Sequence, residues 1–177
     1  MKVPWIPILC YHRVCPKNEI GKDSPSLCVT PEQFKNQMSL LKLLGYLPLS
    51  VQALLASLQG RRNLGRRPVL LTFDDGYADN YVYAFPILKK FSFTAVIFLV
   101  TDFLGKKNVW DSGSVSLLNE GQVEEMHMNG ISFGSHTATH IDLNQKSENS
   151  PSNKVYLRPI NFRKENKFII VVQQSLL

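Results

Sequence analysis

The pattern of apolar and polar positions along this chain predicts short buried strands. Two apolar segments, 69–73 and 94–100, and a third, 131–135, are predicted as strands that are buried on both faces. Such runs are typical of parallel strands that are covered on both sides of a sheet. Another short apolar run, 6–11, is bounded by prolines, and we predict a buried first strand there.

Segments with a helical period separate these strands. Thr30, Pro31 and Gln33 provide an N-cap, a proline at the first helical position and a side chain that can complete a capping box. We predict a helix that opens there and stops at Gly45, and further helices over 51–58, 79–90 and 120–128. Pro86 predicts a kink or a late start in the third of these helices. Strands that alternate with helices predict a parallel α/β sheet or barrel.

Composition and length narrow the class of protein. The 177 residues favour one domain or slightly more, and 44% hydrophobic with 19% charged residues exclude a disordered chain. The longest apolar stretch, 95–100, is far too short to cross a bilayer, so we predict no membrane span. Prolines interrupt the first apolar segment, which we interpret as a mature strand and not as a leader peptide. The compartment stays open, with the cytoplasm as the default.

Charge is distributed unevenly along the chain. Residues 146–177 hold six Lys and Arg against two Asp and Glu, and this part loses the alternation of strands and helices. We therefore divide the chain into a first domain, 1–145, and a divergent basic tail, 146–177. No aromatic residues separate the basic cluster at 61–67, and no recognition motif accompanies the tail, so we predict no nucleic-acid partner. The oligomeric state cannot be predicted from these features.

The three cysteines, Cys10, Cys15 and Cys28, are odd in number and form no Cys-x-x-Cys pair. They do not predict a disulfide framework. We interpret them as small thiols that are buried or half-exposed.

Polar clusters follow two of the predicted buried strands. Asp74, Asp75 and Gly76 come directly after one strand, and His136 and His140 follow another. Alone, each cluster has a common structural interpretation, since Asp-Asp-Gly is an ordinary turn and many helices carry two histidines by chance. Their combination favours a shared site, because the carboxyl ends of parallel barrel strands meet at one end of the barrel.

The side chains of these clusters suit metal-assisted hydrolysis. Two histidines four residues apart are expected on one side of a helical turn. With one carboxylate they form a set of three ligands that leaves open positions on a divalent metal. The second carboxylate of the pair can then take the proton of an attacking water molecule. The sequence therefore predicts hydrolysis of an amide or an ester.

These motifs resemble a known family, the polysaccharide deacetylases of the NodB-homology type, which form carbohydrate esterase family four. Residues 72–76, Thr-Phe-Asp-Asp-Gly, look like its first motif, and residues 136–140, His-Thr-Ala-Thr-His, look like its second. The resemblance runs from about Pro7 to Leu143. It implies a distorted (β/α) barrel, which we expect to be incomplete at the C-terminus.

The resemblance also implies a role for each site residue. Asp74 is expected to be the catalytic base, and Asp75, His136 and His140 are expected to hold a divalent metal, most often zinc. The implied reaction removes N-acetyl groups from an N-acetylglucosamine-type polysaccharide or cell-wall glycan. Members of the family often act at the cell envelope.

The sequence departs from the family pattern after the second motif. The family has a later histidine that protonates the leaving amine, but no histidine follows His140 in this chain. We therefore keep an alternative, a catalytically silent fragment that binds metal or glycan. His12 is interpreted as a wall residue of the site or a ligand, and His127 as a surface residue near the end of a helix.

Overall fold

The fold is described by a computed structural model over residues 5–20, 25–110 and 113–141. The predicted basic tail, 146–177, and the predicted domain boundary at residue 145 lie outside these ranges. None of the helices in the described ranges combines the length and the hydropathy that a bilayer span requires.

A parallel sheet forms the centre of the described fold. In chain order the strands are β1 (Ile8–Tyr11), β2 (Arg13–Val14), β3 (Cys28–Val29), β4 (Leu47–Pro48), β5 (Pro68–Phe73), β6 (Val96–Leu99) and β7 (Ser132–Ser135). The central sheet has the order β1-β5-β6-β7, and β4 pairs with the start of β5. All of these pairings are parallel, as is the separate pair of β2 and β3. The predicted parallel α/β architecture is confirmed.

Helices connect the strands of this sheet. They are α1 (Pro31–Leu43), α2 (Val51–Leu58), α3 (Phe85–Phe91) and α4 (Glu120–Met128), with short 3-10 turns at Lys17–Glu19, Pro25–Leu27 and Thr101–Phe103. The predicted capping box of α1 is confirmed. The backbone N–H of Gln33 donates to Thr30 Oγ1 at 3.2 Å, and the backbone N–H of Thr30 donates to Gln33 Oε1 at 2.8 Å. The local sequence therefore sets the start of this helix.

The segment predicted as a helix over 79–90 has two parts. A π-helical segment, Asn80–Ala84, precedes α3, and Pro86 lies in the first turn of α3. A proline has no N–H to donate to the preceding helical turn, and the change from π-helical to α-helical structure falls one residue before Pro86. The prediction of a helix that is irregular around Pro86 is confirmed, although the helical conformation begins before Pro86, at Asn80.

The strands in the middle of the sheet bury both faces. Leu71 and Phe73 of β5 belong to one apolar cluster, together with Phe34 of α1, whereas Leu70 belongs to a second cluster on the other face. β1 differs, because Ile8 is 58% exposed. The prediction of a buried first strand is therefore wrong in its burial, since β1 lies at one end of the described strand order and not between two strands.

Candidate functional site

The first polar cluster is placed by the end of β5. The Asp74 amide donates to the Tyr11 carbonyl at 2.9 Å, which continues the hydrogen bonding between β1 and β5 for one more residue. The next two residues, Asp75 and Gly76, have φ values of 69° and 71°, so the chain turns sharply there. A Cβ at Gly76 would lie 2.5 Å from Leu99 Cδ2. Glycine is therefore favoured at position 76 by the positive φ and by the close approach of the Leu99 side chain.

The second cluster follows β7 and is held by the loop after β6. The His136 amide donates to the Leu99 carbonyl at 2.8 Å, and the Thr101 amide donates to the Thr137 carbonyl at 3.2 Å. Thr137 and His140 have φ values of 65° and 57°. The prediction of a helical turn at 136–140 is therefore wrong. The two histidines approach each other through a turn with left-handed residues, which hydrogen bonds from the neighbouring loop fix in place.

Backbone strain is concentrated at these two clusters. Of the five non-glycine residues with positive φ in the described part of the chain, three are Asp75, Thr137 and His140. The left-handed conformation costs an ordinary L-residue about 1–2 kcal/mol. Such residues cluster at functional sites, where the surrounding structure imposes the conformation. This observation, which depends on no motif, marks the same place as a candidate site.

The structure brings Asp75, His136 and His140 together. Asp75 Oδ1 lies 3.1 Å from His140 Nε2 and 3.4 Å from His136 Nε2. In a tetrahedral site with metal bonds of about 2.0–2.1 Å, neighbouring ligand atoms lie about 3.3 Å apart. All three ligand atoms lie within 4.8 Å of one another. The three residues therefore have the spacing that one small divalent cation needs.

The surroundings also favour the protonation states that bind a metal. Burial by itself would raise the pKa of Asp75, but the hydrogen bond and charge of His140, with the charge of His136, hold that pKa below its usual value. Burial lowers the pKa of His136. An ionised carboxylate and a neutral imidazole are the forms that ligate a cation.

Asp74 lies beside this group, and its side chain is buried. Burial raises the pKa of its carboxyl above the usual value, although the charges of His136 and His12 oppose the shift. Its Oδ2 faces Cys10 Sγ at 3.5 Å and His12 Nε2 at 3.9 Å. Its Oδ1 is buried and has no hydrogen-bond partner among the described residues. A carboxylate with a raised pKa and one uncommitted oxygen suits a general base.

One contributor to the site was missed by the sequence analysis. The ring of Trp110 stacks on that of His140, with centroids 4.2 Å apart and planes 9° from parallel, and its Nε1–H donates to Tyr77 Oη at 3.0 Å. Trp110 lies outside both motifs, and no local pattern marks it. His127 lies near the end of α4, as predicted, but it is half-buried and not a fully exposed surface residue, and its Nδ1 is 3.3 Å from the Ile131 carbonyl oxygen.

Known proteins share this fold and these motifs. A family model described as polysaccharide deacetylase matches residues 61–156, which include both motifs. A Bacillus subtilis (strain 168) protein whose name places it among the polysaccharide deacetylases is 36% identical over 157 residues, which are 85% of this chain and 51% of that protein. A poly-β-1,6-N-acetyl-D-glucosamine N-deacetylase of Staphylococcus epidermidis is 31% identical over 139 residues, 73% of this chain and 47% of that protein. The chain therefore spans about half the length of these curated relatives.

The described fold also matches solved structures. A Streptococcus pyogenes deacetylase, PplD, solved in complex with acetate, superposes with a TM-score of 0.68 at 33% sequence identity. The match covers 85% of this chain and 64% of that one. The likeness therefore extends from the two motifs to the arrangement of the strands and helices that carry them.

Proposed function

Because this chain belongs to the polysaccharide deacetylase family, we propose that it removes N-acetyl groups from an N-acetylglucosamine-type polysaccharide. The observation that carries the proposal is the convergence of Asp75, His136 and His140 beside the buried Asp74. The family consists of hydrolases that act on carbon–nitrogen bonds other than peptide bonds. The name of the S. epidermidis relative supports a glucosamine polymer as substrate, and the acetate in the S. pyogenes structure is the small product expected of such a reaction.

Asp75, His136 and His140 are the residues that would hold a divalent metal, and zinc is the ion we propose. Their donor set of two nitrogens and one oxygen, with ligand spacings near those of a tetrahedron, fits this ion. When bound, the metal supplies Lewis-acid polarisation of the acetyl carbonyl group. The half-exposed ring of His140 leaves the site open to solvent on one side, where a polymer can approach.

Asp74 is proposed to move the proton in this reaction. Oδ1 is the oxygen that can accept it, because Oδ2 already faces Cys10 and His12. As water adds to the acetyl carbon, Asp74 Oδ1 takes its proton. The carbon–nitrogen bond then breaks, and the sugar nitrogen takes the proton that Asp74 holds and leaves as an amine. The acetic acid that remains loses its proton to solvent and leaves as acetate. The raised pKa of Asp74 places its proton affinity closer to neutral pH, where a base of this kind is most effective.

The alternative is a chain that binds metal or glycan without turnover. One sequence observation favours it, since residues 141–177 contain no histidine that could serve as the acid for the leaving amine. A missing acid lowers the rate of such a step by about 10²- to 10⁴-fold. The two candidates differ in one measurable quantity, the release of acetate.

Acetate release from β-1,6- and β-1,4-linked N-acetylglucosamine oligomers, with added zinc, tests the proposal. We expect release by the wild type and a loss of about 10²- to 10⁴-fold in Asp74→Asn, which keeps the volume of the side chain but not its basicity. Glu124→Gln, a similar change at an exposed position, serves as the matched control and should keep full activity. Full activity in Asp74→Asn would remove Asp74 from the role of base. A zinc-loaded wild type that releases no acetate from either polymer would favour the silent alternative.

A further inference from the structure

A second group of potential metal ligands lies next to the proposed centre. Cys10 Sγ is 3.5 Å and His12 Nε2 is 3.9 Å from the same oxygen, Asp74 Oδ2. The three potential ligand atoms all lie within 4.8 Å of one another. Neither Cys10 nor His12 has a role in the proposed deacetylation. Their position therefore calls for a separate explanation.

The spacing of this second group also fits one cation. With a metal–sulfur bond of about 2.3 Å and metal–nitrogen and metal–oxygen bonds of about 2.0–2.1 Å, a tetrahedral site places sulfur about 3.5 Å and nitrogen about 3.3 Å from the carboxylate oxygen. The observed sulfur distance for Cys10 already has this value. The nitrogen of His12, at 3.9 Å, is about 0.6 Å too far, and its side chain, which is 24% exposed, has room to rotate.

The backbone fixes this group without help from an ion. Cys10 pairs in register with Thr72 of β5, and the amide of Asp74 continues the same hydrogen-bonded ladder to Tyr11. Cys10 and His12 are two residues apart at the end of β1, a spacing that places side chains on one face of an extended chain. Cys10 is exposed, so an ion can reach the group from solvent, whereas Asp74 forms its buried side.

We propose that Cys10, His12 and Asp74 form a second cation site, which takes a borderline-soft divalent ion such as zinc or cadmium. A thiolate, an imidazole and a carboxylate together select such ions over magnesium or calcium, which prefer oxygen ligands only. Binding deprotonates the Cys10 thiol and releases one proton to solvent. The ion occupies Asp74 Oδ2 and withdraws electron density from the carboxylate. The functional consequence, which rests on the proposed function, is that excess zinc inhibits deacetylation, because Asp74 is a poorer base while an ion occupies the second site.

Titration of the full chain with cadmium tests the site independently of any activity. We expect the near-ultraviolet charge-transfer absorption of a cadmium–thiolate bond in the wild type and its loss in Cys10→Ser. Cys28→Ser, which also removes one thiol, is the matched control and should keep the band. His136→Ala should keep it as well, because it alters only the first group. A wild type without the band, or a band that survives in Cys10→Ser and disappears in Cys28→Ser, would overturn the proposal.

The zinc dependence of acetate release tests the inhibitory role. We expect the activity to rise and then fall as zinc is added. In Cys10→Ser the fall in activity should move to zinc concentrations at least about tenfold higher. The reason is that the loss of even an outer contact at a metal site lowers the affinity by about 10- to 100-fold. A fall in activity at unshifted zinc concentrations would refute inhibition at this site. If no acetate appears at any zinc concentration, the proposed function fails, whereas the cadmium band still decides whether the second site exists.

Discussion

The ring of His140 lies flat against Trp110, and the indole N–H of Trp110 is held by Tyr77. The rings of Phe103 and Trp110 pack edge to face, with their centroids 5.9 Å apart. A histidine that ligates a metal works best when a neighbouring group fixes the orientation of its ring. Here Trp110 stacks on the ring of His140, and we therefore expect Trp110 to be a positioning residue for the proposed metal site.

We predict that Trp110→Ala weakens zinc binding by about 10- to 100-fold, as expected when the support of a metal ligand is removed. Competition against a chelating dye measures the dissociation constant. Trp5→Ala is the matched control, because Trp5 is 84% exposed and its removal should leave the affinity unchanged. Trp110→Phe keeps an aromatic face beside His140 and should lose less affinity than the alanine variant. Equal affinities in Trp110→Ala and Trp5→Ala would exclude the positioning role.

At the level of secondary-structure elements, the sequence predicts what depends on local contacts. α1 begins where Thr30 and Gln33 predict, because the capping box involves only neighbours along the chain. The two-residue strands β2 and β3 were not predicted, since only their pairing defines them. The turn at 136–140 differs from the predicted helical turn because two histidines four residues apart fit a helical turn and this irregular turn equally well. Hydrogen bonds from the loop after β6, distant in sequence, impose the left-handed residues instead.

A buried ion pair joins two of these elements. Arg13 of β2 donates from Nε to Asp79 Oδ2 at 2.7 Å, and the Val14 amide donates to Asp79 Oδ1 at 3.3 Å, directly before the π-helical segment. The side chains of Arg13 and Asp79 are only 10% and 7% exposed. Burial raises the pKa of Asp79 from 3.8 to about 6, although the bond from Arg13 opposes the shift. Asp79 is thus ionised at neutral pH at a cost in desolvation.

This raised pKa predicts the sign of a pH effect on stability. Between pH 3.8 and about 6 the folded chain holds a proton on Asp79 that the unfolded chain has lost. The stabilisation that comes from this tighter proton binding is therefore complete below pH 3.8 and is lost as the pH rises through about 6. We predict that the free energy of unfolding of the wild type, relative to that of Asp79→Asn, falls across this window and then levels off. Urea denaturation of metal-free protein at several pH values measures the difference. A difference that rises with pH would contradict a raised pKa.

At the scale of the whole molecule, the proposed metal ligands come from parts of the chain that only the complete sheet brings together. Asp75 follows β5, whereas His136 and His140 follow β7, with β6 between the two strands. This convergence could be predicted because the carboxyl ends of parallel strands share one edge of a sheet. The positions of Trp110 and Cys10 could not be predicted. The position of Trp110 depends on how the connection between β6 and α4 packs, and that of Cys10 depends on how β1 packs at the edge of the sheet. We therefore expect an ion at the site to bind the folded chain much more tightly than the unfolded one.

Zinc should consequently raise the melting temperature of the chain. A ligand that binds only the folded state adds about 2.7 kcal/mol at a concentration of 100 times its dissociation constant, which corresponds to about 5–10 °C for a chain of this size. Differential scanning fluorimetry with zinc, and again after chelation, measures the shift. His136→Ala should lose most of it, whereas His127→Ala, which removes a histidine outside the site, should keep it. Equal shifts in the two variants would mean that zinc stabilises the fold by binding outside the site of His136. A shift that disappears only in Cys10→Ser would assign the stabilising ion to the second site.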